Sequence, residues 1–252
     1  MHPVRLSIVT YNIWNTMRWD VRESALRQFA ELFNPDILCV QELRAETQAC
    51  LDEAMPGHTR VHDGFEGWTS EGTIYWNRAY FSEVEHGIED VGMLEEQRRL
   101  FWVRLKLTGQ DRTVFVGTAH YTYQGHPLER DTGQSPRIEQ TRRTIEAMQR
   151  LVFEDEPAVF MGDLNDPVHP VRMMHEAGYV NCFSALGIPT VPTHPAYPTT
   201  NILPGARSTQ QTIDWIFANK HARAVAAQVP HCYRGDVAPS NHWAVLAVYE
   251  VR

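Results

Sequence analysis

Several apolar, strand-like runs in this chain stop at a carboxylate, an amide or an imidazole: Asn12, Glu42, His120, Asp163 with Asn165, Asp214, and Asn241 with His242. That pattern needs a scaffold gathering strand ends at one rim, as α/β architectures do, with chemistry held in the adjoining loops. The runs are legible from alternation and β-branched content. Leu6, Ile8 and Thr10 lead a strand to Asn12, and residues 36–40 lead another to Gln41 and Glu42. Between them, Asp20 can cap a helix with apolar positions Val21, Ala25, Leu26, Phe29, Ala30 and Phe33, stopped by Asn34-Pro35. A second helix is predicted over 46–54, closed by Pro56-Gly57. Strands follow over 72–76, 80–85, 100–107 and 113–120. Ser135 and Pro136 read as N-cap and first residue of a helix with Ile138, Ile145, Met148 and Val152 on one face. Ala158-Val159-Phe160-Met161 is an apolar strand running into Gly162-Asp163-Leu164-Asn165-Asp166. Residues 187–212, dense in Pro, Thr and Gly, read as a long loop, and strands over 212–218 and 244–251 close the chain. No repeat, linker or composition break divides residues 1–252, so one mixed α/β domain is expected.

At 252 residues the chain can bury a sizeable core without staples. No apolar run approaches the ~18 residues of a membrane span, and the start lacks the features of a signal peptide. No membrane insertion and no obligate protein partner are expected. The 23 basic and 31 acidic side chains, net charge −8, argue against sequence-blind wrapping of nucleic acid. They leave room for a phosphate held in one local cleft. Cys39, Cys50, Cys182 and Cys232 show no zinc-like pairing and read as reduced thiols of a cytoplasmic protein.

Hard cations such as Mg²⁺ take oxygen ligands, and Asn12, Glu42, Asp163, Asn165 and Asn241 are the right types. His242 with a carboxylate such as Asp214 is the right type for an oriented acid or base. Singly, a strand-end Asn is a turn residue and Asp214 a structural hydrogen-bonding group; the set carries the reading. His58 and His62 have H-x-x-x-H spacing, but off any helical pattern and with no third ligand. They read as surface histidines, as do His169, His175, His194, His221 and His231. Trp14, Trp68, Tyr121 and Tyr123 either pack beside strand ends or stack on a substrate ring. Arg137, Arg142, Arg143 and Arg150, interspersed with Glu139 and Glu146, read as a solvated helix face. There is no Gly-rich nucleotide loop of the G-x-x-x-x-G-K type.

Five blocks, Thr10-Tyr11-Asn12-Ile13-Trp14, Val40-Gln41-Glu42-Leu43-Arg44, Gly162-Asp163-Leu164-Asn165, Thr212-Ile213-Asp214-Trp215-Ile216 and Ser240-Asn241-His242-Trp243, stand in the order and spacing of the endonuclease/exonuclease/phosphatase superfamily. The chain resembles that superfamily from residue 6 to residue 250. The resemblance implies a four-layer α/β sandwich, two packed mixed sheets flanked by helices as in deoxyribonuclease I. It also implies a Mg²⁺- or Mn²⁺-dependent phosphoester hydrolase, with a nucleic-acid or small-molecule phosphodiester as first substrate. Sugar or inositol phosphomonoesters, sphingomyelinase-like lipid cleavage and an inactive binding module are the alternatives. Carried over by position, Glu42 matches the principal metal ligand and Asn12 its amide neighbour. Asp163 and Asn165 match the pair that positions water and phosphate. His242 matches the catalytic histidine, Asp214 its orienting carboxylate, His120 a second histidine, and Glu71 the acid that pairs with His120. Arg44 is similar to an arginine able to reach phosphate, and Tyr123 stands where it can touch substrate. In the last block Asn241 replaces the superfamily's usual Asp. An amide there still offers oxygen to a cation but removes a charge, which puts a two-metal mechanism in doubt.

Overall fold

In the computed structural model, which describes residues 3–196 and 210–251, alternation in the first strands sends successive side chains into two interiors. In β1 (Val4–Asn12) Ile8 joins one apolar cluster while Val9 and Tyr11 join another. In β2 (Ile37–Gln41) Ile37 and Cys39 go to the first cluster, Leu38 and Val40 to the second. Strands buried on both faces are expected where helices cover one side of a sheet and a second sheet covers the other. The second cluster lies under α1 (Trp19–Phe33) and α2 (Ala45–Ala54), which contribute Leu26, Phe29 and Leu51 to it.

The chain continues through β3 (His58–Arg60), α3 (Gly67–Ser70), β4 (Gly72–Asn77), β5 (Phe81–Glu89), β6 (Leu100–Leu107) and β7 (Thr113–His120). Then come α4 (Pro127–Thr132), α5 (Pro136–Leu151), β8 (Ala158–Asp163), α6 (His169–Glu176), β9 (Val180–Asn181) and α7 (Cys182–Leu186). Last are β10 (Asp214–Ala218), β11 (Ala222–Gln228) and β12 (Val245–Val251). Two six-stranded sheets result, ordered β11-β12-β1-β2-β4-β3 and β5-β6-β7-β8-β10-β9. Both are mixed, with β1–β2 and β7–β8 the parallel pairs. The larger cluster fills the space between them, where Ile8, Ile37 and Ile74 meet Phe115, Phe160 and Met161. Each such side chain contributes roughly 1.5–3 kcal/mol by leaving water. This is the α/β sandwich of two sheets flanked by helices that the resemblance implies. No described helix is long and apolar enough to cross a membrane. All four cysteines are free.

The strands expected from periodicity form, with ends shifted by a few residues. Short elements and the alanine-rich β11 carry no such signal; β11 exists because β12 pairs along its length. Of the 187–212 loop, residues 197–209 lie outside the described residues. Asp20 does not cap α1: Arg18, in the left-handed region, stands at the N-cap, and Asp20 lies in the first turn. Ser135 holds the N-cap place of α5, but its side chain makes no capping bond.

The buried face of α5 also differs from the expected one. Arg137, Gln140, Thr141, Thr144, Ala147 and Met148 point inward, and Ile138 is exposed. Each inward polar residue finds at least one partner. Arg137 Nη1 donates to the Thr122 carbonyl (3.1 Å), Gln140 Nε2 to Thr122 Oγ1 (2.8 Å), and Tyr121 Oη to Thr144 Oγ1 (2.8 Å). Arg137 therefore leaves the solvated face, on which Arg142, Arg143 and Arg150 pair with Glu139, Glu146 and Glu89.

Candidate active site

Strand register assembles the site. Parallel pairing sets Asn12 beside Gln41, so Glu42 emerges one residue past the end of β2. In the other sheet, parallel pairing sets His120 beside Asp163, and antiparallel pairing sets Asp163 opposite Asp214. Both sets of strand ends reach the same rim. Asn12 joins them: its Nδ2 donates to Glu42 Oε1 (3.1 Å) and to Asp163 Oδ2 (3.0 Å). Its Oδ1 accepts from the Trp14 backbone N–H (2.9 Å), which fixes the amide's orientation. Asn12 thus holds two carboxylates together, and its carbonyl oxygen is committed elsewhere. Asn15 Nδ2 donates to the other oxygen of Glu42 (2.8 Å).

The backbone is strained here. Trp14, Asn15, Glu42 and Asn165 all have positive φ, a conformation that persists in larger side chains only where the surroundings impose it. Asn165 is held by its Nδ2 bond to the Tyr121 carbonyl (2.9 Å) and by its N–H bond to Asp163 Oδ1 (2.9 Å). Gly162, at φ 150°, admits no side chain, because a Cβ would lie 1.9 Å from the Ala119 carbonyl oxygen. That close approach lets β8 run against β7 up to Asp163.

His242 comes from the segment before β12. Ser240 Oγ donates to the Asn12 carbonyl (2.7 Å) and accepts from the His242 N–H (3.1 Å). His242 Nδ1 lies 2.9 Å from Asp214 Oδ2, and Nε2 lies 3.8 Å from Asp163 Oδ2. Burial works against the imidazolium, but Asp214 and then Asp163 outweigh it and raise the His242 pKa. Burial, then the Asp214 charge, push Asp163 upward. His120, with Nε2 3.4 Å from Asp163 Oδ2, is held neutral by burial and by the Arg98 charge.

These groups open into a cavity of about 480 Å³, where Glu42, His120, Asp163, Asn165, Asn241 and His242 are exposed to a common space. Tyr123 stands at the same cavity and is half exposed. Asn12 and Asp214 are buried behind it. Glu71 and Arg44 fall elsewhere. Glu71 accepts Arg98 (3.0 Å) on one oxygen and Arg44 (3.3 Å) on the other, so it does not pair with His120, whose Nδ1 is buried without a partner among the described residues. Arg44 also donates to the Ser70 carbonyl and does not line the cavity. Trp14, Trp68 and Tyr121 are packing residues, fully or nearly buried.

Four polar lining residues, Arg98, Gln124, His194 and Gln211, were not foreseen. Arg98 follows no pattern that separates it from Arg99. His194, expected at the surface, lies beside His242 with ring centroids 4.6 Å apart. Burial, and then the His242 charge, lower its pKa to about 4. Its neighbour Thr193 is fully buried and accepts from the backbone N–H groups of Ile213 (3.0 Å) and Asp214 (3.2 Å). The Thr193 carbonyl accepts from Trp243 N (2.7 Å), and Ala196 N donates to the Asn241 carbonyl (2.7 Å). Residues 193–196 therefore strap both halves of the Asp214–His242 pair. His58 is likewise buried, 2.6 Å from the Pro35 carbonyl. Among the described residues, only Asp163, Asp214 and His242 form a group of three metal-ligating types within 4.8 Å of one another. This leaves no support for a zinc site at His58 and His62.

The sequence matches the model of the endonuclease/exonuclease/phosphatase family over residues 9–242. The chain belongs to that family. Its fold agrees with that of an endonuclease/exonuclease/phosphatase family protein from Bacteroides thetaiotaomicron (TM-score 0.80, 19% identity, all of both chains). It is also similar to a mannosyl-6-phosphatase from Bacteroides thetaiotaomicron (TM-score 0.78, 18% identity, 97% of this chain and 99% of that one). TDP2 from D. rerio, solved with a single-strand DNA product, is similar over 97% of this chain and 98% of its own (TM-score 0.78, 17% identity). No curated protein matches the sequence. As a family member, the chain has the phosphoesterase fold, and its cavity stands where five separate sequence blocks converge.

The side chains fit a hard divalent cation. Glu42 and Asp163 present carboxylates to one cavity beside the Asn241 amide, and the nearby Asp214 Oδ1 is buried with no hydrogen-bond partner among the described residues. Oxygen-rich donors of this kind suit Mg²⁺ or Mn²⁺.

Proposed function

We propose that this protein is a divalent-metal-dependent phosphoester hydrolase, acting first on phosphodiesters by in-line attack of water. One observation carries the reading: Glu42 from one sheet and Asp163 from the other meet through Asn12, 3.8 Å from an imidazole that Asp214 orients. Glu42, Asp163 and Asn241 would hold Mg²⁺ or Mn²⁺, with Asn12 fixing the carboxylates. Bound there, the ion neutralises phosphoryl charge and acts as a Lewis acid.

The chain's own groups do the rest. Asp163 and Asn165 accept and donate hydrogen bonds that orient the attacking water toward phosphorus. As the new P–O bond forms and the ester P–O bond breaks, the water gives up one proton and the departing alcohol takes one up, and charge shifts onto the phosphoryl oxygens and the leaving oxygen. His242, kept protonated by Asp214, donates into that charge, and His120 stands opposite. Arg98 and Arg44 share Glu71, and Arg98 also pairs with Glu95, so neither guanidinium is free to balance a second phosphate charge. That favours the singly charged diester over a doubly charged monoester. A cytoplasmic place of work belongs to the same proposal, supported by the free thiols.

The test is hydrolysis of bis-p-nitrophenyl phosphate and p-nitrophenyl phosphate with Mg²⁺, Mn²⁺ or chelator. Metal-dependent turnover with the diester ahead is expected. Turnover of the monoester alone would move the assignment to a phosphomonoesterase, and no turnover of either would point to a binding module.

A further inference from the structure

The cavity lining also carries groups for which the hydrolytic reading has no use. His194 lies against His242 through its ring, yet neither of its ring nitrogens has a hydrogen-bond partner among the described residues. Its backbone is fixed twice over. His194 N donates to the Gln211 carbonyl (3.0 Å) and Gln211 N to the His194 carbonyl (2.8 Å). The Gln211 side chain reaches across the mouth, where its Oε1 accepts from Gln124 Nε2 (3.2 Å). Tyr123 stands next to Gln124 with its ring half exposed. The mouth is thus lined by polar donors and acceptors, among them an imidazole that is rigidly placed and unspent.

A polar group held near the surface of a cleft with its hydrogen-bonding capacity open is positioned for a polar group on a ligand. A site built this way discriminates against analogues that lack the matching hydroxyl. A lining of amides, a phenol and an imidazole suits hydroxyls better than a hydrocarbon chain, which would leave those groups unpaired.

We propose that His194 is a specificity-determining residue of this cavity, hydrogen-bonding through a ring nitrogen to a hydroxyl on the alcohol portion of a hydroxylated phosphoester such as a glyceryl, sugar or ribosyl ester. The assignment rests on the hydrolytic reading above. It concerns which alcohol is read, and leaves the attack on phosphorus to Asp163, Asn165 and His242. Thr193 and Ala196 set the position of the imidazole by tying its segment to Ile213, Asp214, Asn241 and Trp243.

A matched pair of substrates tests this: the p-nitrophenyl phosphodiesters of glycerol and of propanol, which share phosphorus chemistry and leaving group and differ in hydroxyls. For the wild type, the ratio of kcat/KM for the glyceryl over the propyl ester should be about five- to tenfold, the worth of one or two neutral hydrogen bonds. His194→Phe keeps a ring against His242 but removes both nitrogens, and should bring the ratio to about one, mainly through KM for the glyceryl ester. His194→Gln restores a donor and acceptor without the ring and should recover part of the preference, which separates recognition from packing. An active wild type with no preference, or a His194→Phe variant that keeps it, overturns the assignment while leaving the hydrolase reading intact. A wild type that cleaves neither ester with Mg²⁺ or Mn²⁺ removes both.

Discussion

Among the cavities lined by the described residues, two of nearly equal size invite comparison. The cleft at the rim formed by Asn12, Glu42, Asp163 and His242 has about 480 Å³, and a groove lined by Ala218, Lys220, Ala222, Arg223, Tyr249 and Glu250 has about 510 Å³. The groove lies past the other end of β10, whose five residues hold no carboxylate beyond Asp214 itself. Volume therefore does not mark the working end. What differs is how the polar groups are held. In the groove, Arg223 meets Glu250 at 3.0 Å with its own side chain 60% exposed, an arrangement worth little. In the cleft, Asp163, Asp214 and His242 are buried together, and the Asp214 charge raises the proton affinity of both Asp163 and His242, the kind of perturbation that concentrates where chemistry is done.

The contrast can be broken most sharply at Asp163. Replacing Asp163 with Asn should lower diester turnover by at least about 10³-fold while moving the thermal midpoint little, since a buried carboxylate is exchanged for its isostere. A loss below tenfold in steady-state assays would mean that the cleft is no more privileged than the groove. Asp214→Asn should cost about 10²–10⁴-fold. Because Asp214 raises the His242 pKa, the variant's imidazolium should be lost at lower pH, moving the alkaline limb of the pH–rate profile downward. An unmoved limb would exclude His242 as its origin.

Thr193→Val strips the acceptor from two buried N–H groups, at about 1–3 kcal/mol of stability, and should reduce turnover about tenfold by loosening the Asp214 backbone. Thermal melts together with kcat would show both effects. Asn241→Asp adds a charge to the oxygen set and should tighten Mg²⁺ or Mn²⁺ several-fold in calorimetric titration. Unchanged or weaker binding would place residue 241 away from the ion. Lys220→Ala in the groove should leave turnover within a factor of about two and stability within about 0.5 kcal/mol.

Much of the cleft could be read in advance because its members end strands, and strand ends are set by apolar runs visible in one dimension. Asn12, Glu42, His120, Asp163 and Asp214 are of this kind. Glu71 and Arg44 were harder to place, since their geometry depends on Arg98, which arrives from the start of a different strand and takes the carboxylate that His120 was expected to share. His194 stood in a segment with no periodicity, where only the three-dimensional return of the chain reveals that Thr193 is fully buried. The buried side of α5 was missed for a related reason. Gln140 and Thr144 resemble surface residues until Thr122 and Tyr121 are seen to satisfy them. Pattern reading ranks residues by polarity, whereas burial depends on whether a partner is waiting.

The Asn12 amide has a consequence beyond holding two carboxylates. Its two acceptors belong to different leaves of the sandwich, so the spacing between them is gauged by whatever fills the gap: Ile8, Ile37, Phe115 and Phe160. The hydrophobic filling acts as an alignment jig. Trimming Phe160 or Ile8, remote from any phosphate, could blunt the enzyme while the protein remains folded, because the leaves would settle out of true by a fraction of an ångström.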